Sequence, residues 1–116
     1  MVIWHDTEDA QRIPAEVFQN DKVVMWIGSY PVEPGQAIVV EVEISNGTNG
    51  PSKSRVEAEW KYNDYTRNNS YWAAIVGPFT NGEKINYKII GKGFDHVEHV
   101  QVGSFKVLPR GQQDTN

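Results

Sequence analysis

Apolar and polar residues alternate with period two along most of this chain. Ile38, Val40, Val42 and Ile44 share one phase, and Glu41 and Glu43 hold the other. Such alternation is what a half-buried β-strand needs, because successive side chains point to opposite faces. Val56, Ala58, Trp60 and Tyr62 repeat it, with Glu57, Glu59 and Lys61 between them. Trp72, Ala74 and Val76 form another set, opposite Tyr71, Ala73 and Ile75. Ile85, Tyr87 and Ile89 form a fourth. Val100 and Val102 are out of step with Phe105 and Val107 across Gly103-Ser104, so we expect a β-bulge there. Val23 to Ile27 is apolar throughout, as in a strand covered on both faces. Val2 to Trp4 suits a short edge strand.

Turn residues fall between these runs: Pro34-Gly35, Asn46-Gly47, Asn49-Gly50-Pro51, Gly77-Pro78 and Asn81-Gly82. Asn81-Gly82 is the strongest hairpin signal, since both residues accept positive φ. Helical signals are few. Thr7 to Arg12 has a capping residue and early acids, Glu8 and Asp9, but Ile13-Pro14 stops it within a turn, and Ala15 to Asn20 has room for one more. Strands beginning near residues 2, 22, 37, 54, 70, 84 and 97 predict an all-β fold. An antiparallel β-sandwich of immunoglobulin-like kind, with seven to eight strands, is the expected architecture, and a small closed barrel is the alternative. One domain over 1–110 and a flexible tail over 111–116 account for the chain.

Composition narrows the function. At 116 residues one core is sufficient without staples. There is no cysteine, which excludes a disulfide framework, a thiolate zinc site and a cysteine nucleophile. With 11 basic and 15 acidic residues, no basic surface dominates, so a nucleic-acid partner is not expected. No apolar run approaches the roughly 18 residues of a membrane span, and Val2-Ile3-Trp4 gives way at once to His5-Asp6, unlike a signal peptide. We expect a cytoplasmic protein or, preferentially, a module of a longer secreted one, with no membrane partner.

Candidates for catalysis are weak. His96 and His99, on a strand or loop, should point apart and so do not converge on a metal; Asp95 and Glu98 are the nearest further ligands. Gly91-Lys92-Gly93 follows a strand and opens no helix, so it is a turn rather than a phosphate cradle. Glu41/Glu43 and Glu57/Glu59 sit two apart on regular strands, about 7 Å along the chain. A flat sheet face gives them no cleft for glycosidase geometry. No catalytic residue, metal ligand or cofactor is assigned.

The aromatic residues say more. Trp60 and Trp72 share phase with aliphatic neighbours and are expected in the core, while Trp4 and Trp26 lie near an edge and a turn. Between two strands, Tyr62, Asn63, Asp64, Tyr65, Arg67 and Asn68 gather rings, amides and charges in one loop. Those groups suit a saccharide, whose apolar ring face stacks on an aromatic side chain and whose hydroxyls are fixed by amides and carboxylates. An ordinary polar hairpin with Asx turns has the same composition.

The run Ser70-Tyr71-Trp72-Ala73-Ala74-Ile75-Val76-Gly77-Pro78-Phe79, then Asn81-Gly82, then Ile85-Asn86-Tyr87-Lys88-Ile89, resembles immunoglobulin-like modules attached to glycoside hydrolases, including starch-binding and fibronectin-like domains. The likeness covers about half the chain, from Val56 to Val107. It implies that Trp72 and Tyr87 are structural, and that the chain is a noncatalytic carbohydrate-binding module tethering a catalytic domain to polysaccharide, an α-glucan or another glycan. The expected sugar contacts are Trp26, Tyr30, Tyr62 and Tyr65 for stacking and Asn63, Asp64, Arg67 and Asn68 for orientation, in an extracellular, monomeric module. The alternatives are a spacer that docks on a catalytic neighbour and, last, a small β-barrel enzyme.

Overall fold

The computed structural model describes residues 1–47 and 50–110; the expected tail over 111–116 and Asn49 of the Asn49-Gly50-Pro51 turn lie outside them. Among the described residues nine strands form in order: β1 (Val2–Trp4), β2 (Arg12–Ile13), β3 (Val23–Tyr30), β4 (Ala37–Ile44), β5 (Ser52–Glu57), β6 (Glu59–Asp64), β7 (Asn69–Val76), β8 (Lys84–Lys92) and β9 (Glu98–Lys106). One sheet runs β1-β3-β7-β6, with β2 also on β3; the other runs β5-β4-β8-β9. Every strand pair is antiparallel. This is the strand order of an immunoglobulin-like Greek-key sandwich with one additional strand on the second sheet.

The inward phases supply the core. Met25 and Ile27 of β3, Val40 of β4, and Ile85 and Ile89 of β8 are fully buried. Trp72 is buried as its position predicts, and its indole Nε1 donates to Ser29 Oγ at 3.0 Å. Burying an indole N–H without an acceptor would cost free energy, so Ser29 is the polar exception this core requires.

Four expectations need correction. The alternating run over Val56–Tyr62 is not one strand. It leaves the second sheet after Glu57 and enters the first at Glu59, with the Ala58 amide bonded to Ile38 O at 2.8 Å at the crossing. Period two is preserved through such a corner, so alternation alone cannot reveal it. Glu57 and Glu59 therefore stand on different sheets. Second, β9 pairs with β8 in continuous register through Gly103, without a bulge. Val100 and Val102 simply face outward, 46% and 72% exposed. The bulge lies in β6 instead, at Lys61: Trp60 opposes Trp72, but Tyr62 opposes Tyr71. That extra residue sends Trp60 and Tyr62 to opposite faces. Third, Trp60 is not core but 54% exposed, on the inward phase of an edge strand where the facing sheet leaves it uncovered. Fourth, Ala15 to Asn20 forms no helix; it is held by a Phe18–Leu108 bridge and by Asp21 accepting from the Phe18 amide.

Candidate functional site

Strand register assembles a face that the linear sequence does not display. Trp26, Gly28 and Tyr30 point outward from β3. Their neighbours fix the rest: Trp4 opposes Gly28, Tyr71 opposes Gly28 from β7, and Tyr62 opposes Tyr71 from β6. The outer surface of the first sheet is thus paved with rings. Tyr62 stacks on Tyr71 at 4.9 Å with 25° between planes. Trp26 meets Tyr62 at 6.4 Å and 60°, and Trp4 meets Tyr71 edge-on at 6.4 Å. Gly28 makes the paving possible, because a Cβ there would stand 2.2 Å from the Trp4 indole.

The segment between β1 and β2 folds over this face. The Asp6 amide reaches Ala10 O, and Trp26 N reaches Gln11 O. From the inner side His5, which is buried, donates through Nδ1 to the Trp26 carbonyl at 2.8 Å, and its Nε2 meets the Tyr87 hydroxyl at 2.9 Å. Burial pushes the Tyr87 hydroxyl above its ordinary pKa of 10.0. Asp9 is the polar hub above. It accepts from the Tyr71 hydroxyl at 2.6 Å, the Thr7 hydroxyl at 2.7 Å and the Trp4 indole at 3.2 Å. The Tyr71 hydrogen bond, above all, holds the Asp9 carboxyl below 3.8. Reciprocally, burial and then the Asp9 hydrogen bond raise Tyr71 above 10.0.

The result is a depression of about 320 Å³ lined by Glu8, Asp9, Gln11, Ile13, Trp26 and Tyr62. Ile13, Trp26 and Tyr62 give its wall ring and aliphatic surface; Glu8, Asp9 and Gln11 add two carboxylates and an amide. Tyr62 is 50% exposed, and Trp26 is half-buried.

Of the eight residues named from sequence, the structure brings Trp26 and Tyr62 together. Tyr30 shares their face but stands four residues along β3 from Trp26, about 13 Å at the usual rise. Asp64 caps the β6–β7 turn, accepting from the Thr66 and Arg67 amides, and Asn68 accepts from the Val32 amide across to the next loop. Arg67 stands 4.0 Å from Asp64. Asn63 and Tyr65 lie toward the other side of β6, beside Trp60. Glu8, Asp9 and Gln11 were not foreseen. Nothing local marks them; only the register of β1 and β2 on β3 carries them over Trp26.

A larger concavity, about 750 Å³, lies on the outer face of the second sheet, lined by Glu41, Glu43, Lys53, Arg55, Lys88 and Val102 among others. The expected flat face around Glu41 and Glu43 is therefore hollow. No aromatic ring faces outward there, since Tyr87 points into the core, and Arg55 is already paired with Glu41 at 2.9 Å.

No protein-family profile matches the chain. It is 29% identical over 112 residues to an isomaltosyltransferase of Sporosarcina globispora, a match covering 97% of this chain and 10% of that enzyme. The fold superimposes on a cycloalternan-forming enzyme from Listeria monocytogenes, solved with a pentasaccharide substrate, with a TM-score of 0.78 and 24% identity over 92% of this chain and 10% of that one. The same values hold for a protein of L. monocytogenes EGD-e solved with α-D-glucose, β-D-glucose, magnesium and calcium. The chain thus spans about a tenth of the length of the relatives it matches.

Proposed function

We propose that this domain is a noncatalytic carbohydrate-binding module of an extracellular polysaccharide-processing enzyme, and that it binds glycan on the outer face of the first sheet. The observation that carries this reading is the Trp26–Tyr62 pair bordered by Glu8, Asp9 and Gln11. Rings at a fixed angle offer stacking surface to the apolar face of a pyranose, and the acceptors take its hydroxyls. Asp9 and Gln11 O are already engaged in holding the face, which leaves Glu8 and the Gln11 side chain as the groups free to read a ligand. The similarity to part of an isomaltosyltransferase favours an α-glucan ligand. A weak site suffices when it is tethered, because the effective concentration of substrate at the attached enzyme rises.

Intrinsic fluorescence titration and affinity electrophoresis against glucans, mannans and xylans test this. Retardation by one glycan class, weakened in Trp26→Ala, is expected. Absence of retardation by every glycan with folded wild-type protein overturns the proposal.

A second reading, docking against a catalytic neighbour, is favoured by β9 and the loop before it. Phe94, Val97, Val100 and Val102 are 46–79% exposed on the second sheet's side, and exposed apolar patches commonly mark interfaces.

A further inference from the structure

We infer that Trp60 and Tyr65 form a second saccharide-stacking site, on the opposite side of β6 from the Trp26–Tyr62 face. The Lys61 bulge separates the two sites. Trp60 shares its face with buried Trp72, whereas Tyr62 shares its face with Tyr71. At this edge of the sandwich the facing sheet falls short, so Trp60 remains 54% and Tyr65 77% exposed.

Two exposed rings alone would be unremarkable surface. These two are fixed by one amide. Asn63 Oδ1 accepts from the Trp60 indole at 2.8 Å, and Asn63 Nδ2 donates to the Tyr65 hydroxyl at 3.1 Å. Asn63 is itself anchored, its Oδ1 accepting from buried Ser70 Oγ at 2.7 Å. The polar atoms of both rings therefore turn inward to Asn63, and their apolar faces are left toward solvent. Ordering a stacking surface before the ligand arrives lowers the entropic cost of binding. Exposed ring faces held in place suit a stretch of neutral oligosaccharide.

This site shares no residue with the one proposed above and goes beyond it, since it makes the domain bivalent. Two weak sites on one rigid body bind a polymer more tightly than either alone, provided one chain or one granule surface can reach both.

The four tryptophans give each region its own reporter. Indole N–H resonances are followed while maltotetraose, isomaltotetraose, cellotetraose, xylotetraose and mannotetraose are added in turn. With at least one of these sugars, the Trp60 resonance should shift along a saturable curve that persists in Trp26→Ala/Tyr62→Ala and vanishes in Tyr65→Ala. The Trp72 resonance, in the core, should stay fixed and so report folding in every variant. Affinity for the corresponding polymer should fall about tenfold or more when the Trp60 site is removed by Trp60→Ala/Tyr65→Ala. A stationary Trp60 resonance under all five sugars overturns the second site, whether or not Trp26 moves. Movement of Trp60 with a stationary Trp26 keeps the second site and removes the first.

Discussion

The outer faces of the two sheets differ in what their alternating positions expose. On the first sheet the outward residues are rings, Trp4, Trp26, Tyr62 and Tyr71, pinned around Asp9. On the second they are charges and valines: Glu41 paired with Arg55, Lys88 beside Val102, and Val100. The second face has the larger hollow, about 750 Å³ against about 320 Å³. Volume does not select the better ligand site. A saccharide gains from flat apolar rings beside fixed acceptors, and only the smaller depression offers both. The larger one presents charges, among them the Glu41–Arg55 pair, and no outward ring.

The contrast is open to mutation. Gly28→Val should have the largest effect, because its Cβ collides with the Trp4 indole. We expect a loss of about 1–3 kcal/mol in urea denaturation, with Trp4 emission shifted, as overpacking in a close contact typically costs. An unchanged denaturation midpoint would mean that Trp4 is not seated on β3. Next, Trp26→Ala should weaken glycan binding about tenfold, roughly 1.4 kcal/mol, in a titration calorimeter while leaving the fold intact. Tyr71→Phe should cost about 1 kcal/mol or somewhat more, since it strips the carboxylate of Asp9 of its closest donor. Smallest of all, Val102→Ser on the second face should alter stability by less than about 0.5 kcal/mol and glycan affinity not at all. A loss of glycan affinity there would reverse the assignment of faces.

Acid sharpens the same comparison. The folded pKa of Asp9 lies below its ordinary 3.8. Its contribution to stability is therefore present above 3.8 and disappears as the pH drops through the lower folded value. Tyr71 is raised above 10.0, so its contribution holds below that value and is lost as alkali ionises the folded hydroxyl. Denaturation midpoints between about pH 5 and pH 2 should fall less steeply in Tyr71→Phe than in wild type. Equal slopes would show that the Asp9–Tyr71 bond contributes nothing to folding.

Much of the architecture was legible in the residues. Alternation over Ile38–Ile44 and Ile85–Ile89, with glycine turns between, leads directly to β4 and β8, and Trp72 was placed in the core by phase alone. Trp60 shows where phase stops informing. It has the same period as Val56 and Ala58, but a sheet change at Ala58 and a bulge at Lys61 lie between alternation and burial. Neither leaves a local mark. The sugar-like composition of Tyr62–Asn68 was legible too, yet Asp64 and Asn68 serve the turn. Asp9 and Gln11 entered the site through long-range register, about which a run of neighbouring residues says nothing.

Backbone amide shift mapping under titration with the best-bound oligosaccharide tests the central assignment most directly. Saturable shifts are expected at Gln11, Trp26 and Tyr62, with Lys88 and Val102 stationary. Shifts confined to Lys88, Val102 and their neighbours on the second sheet would contradict it.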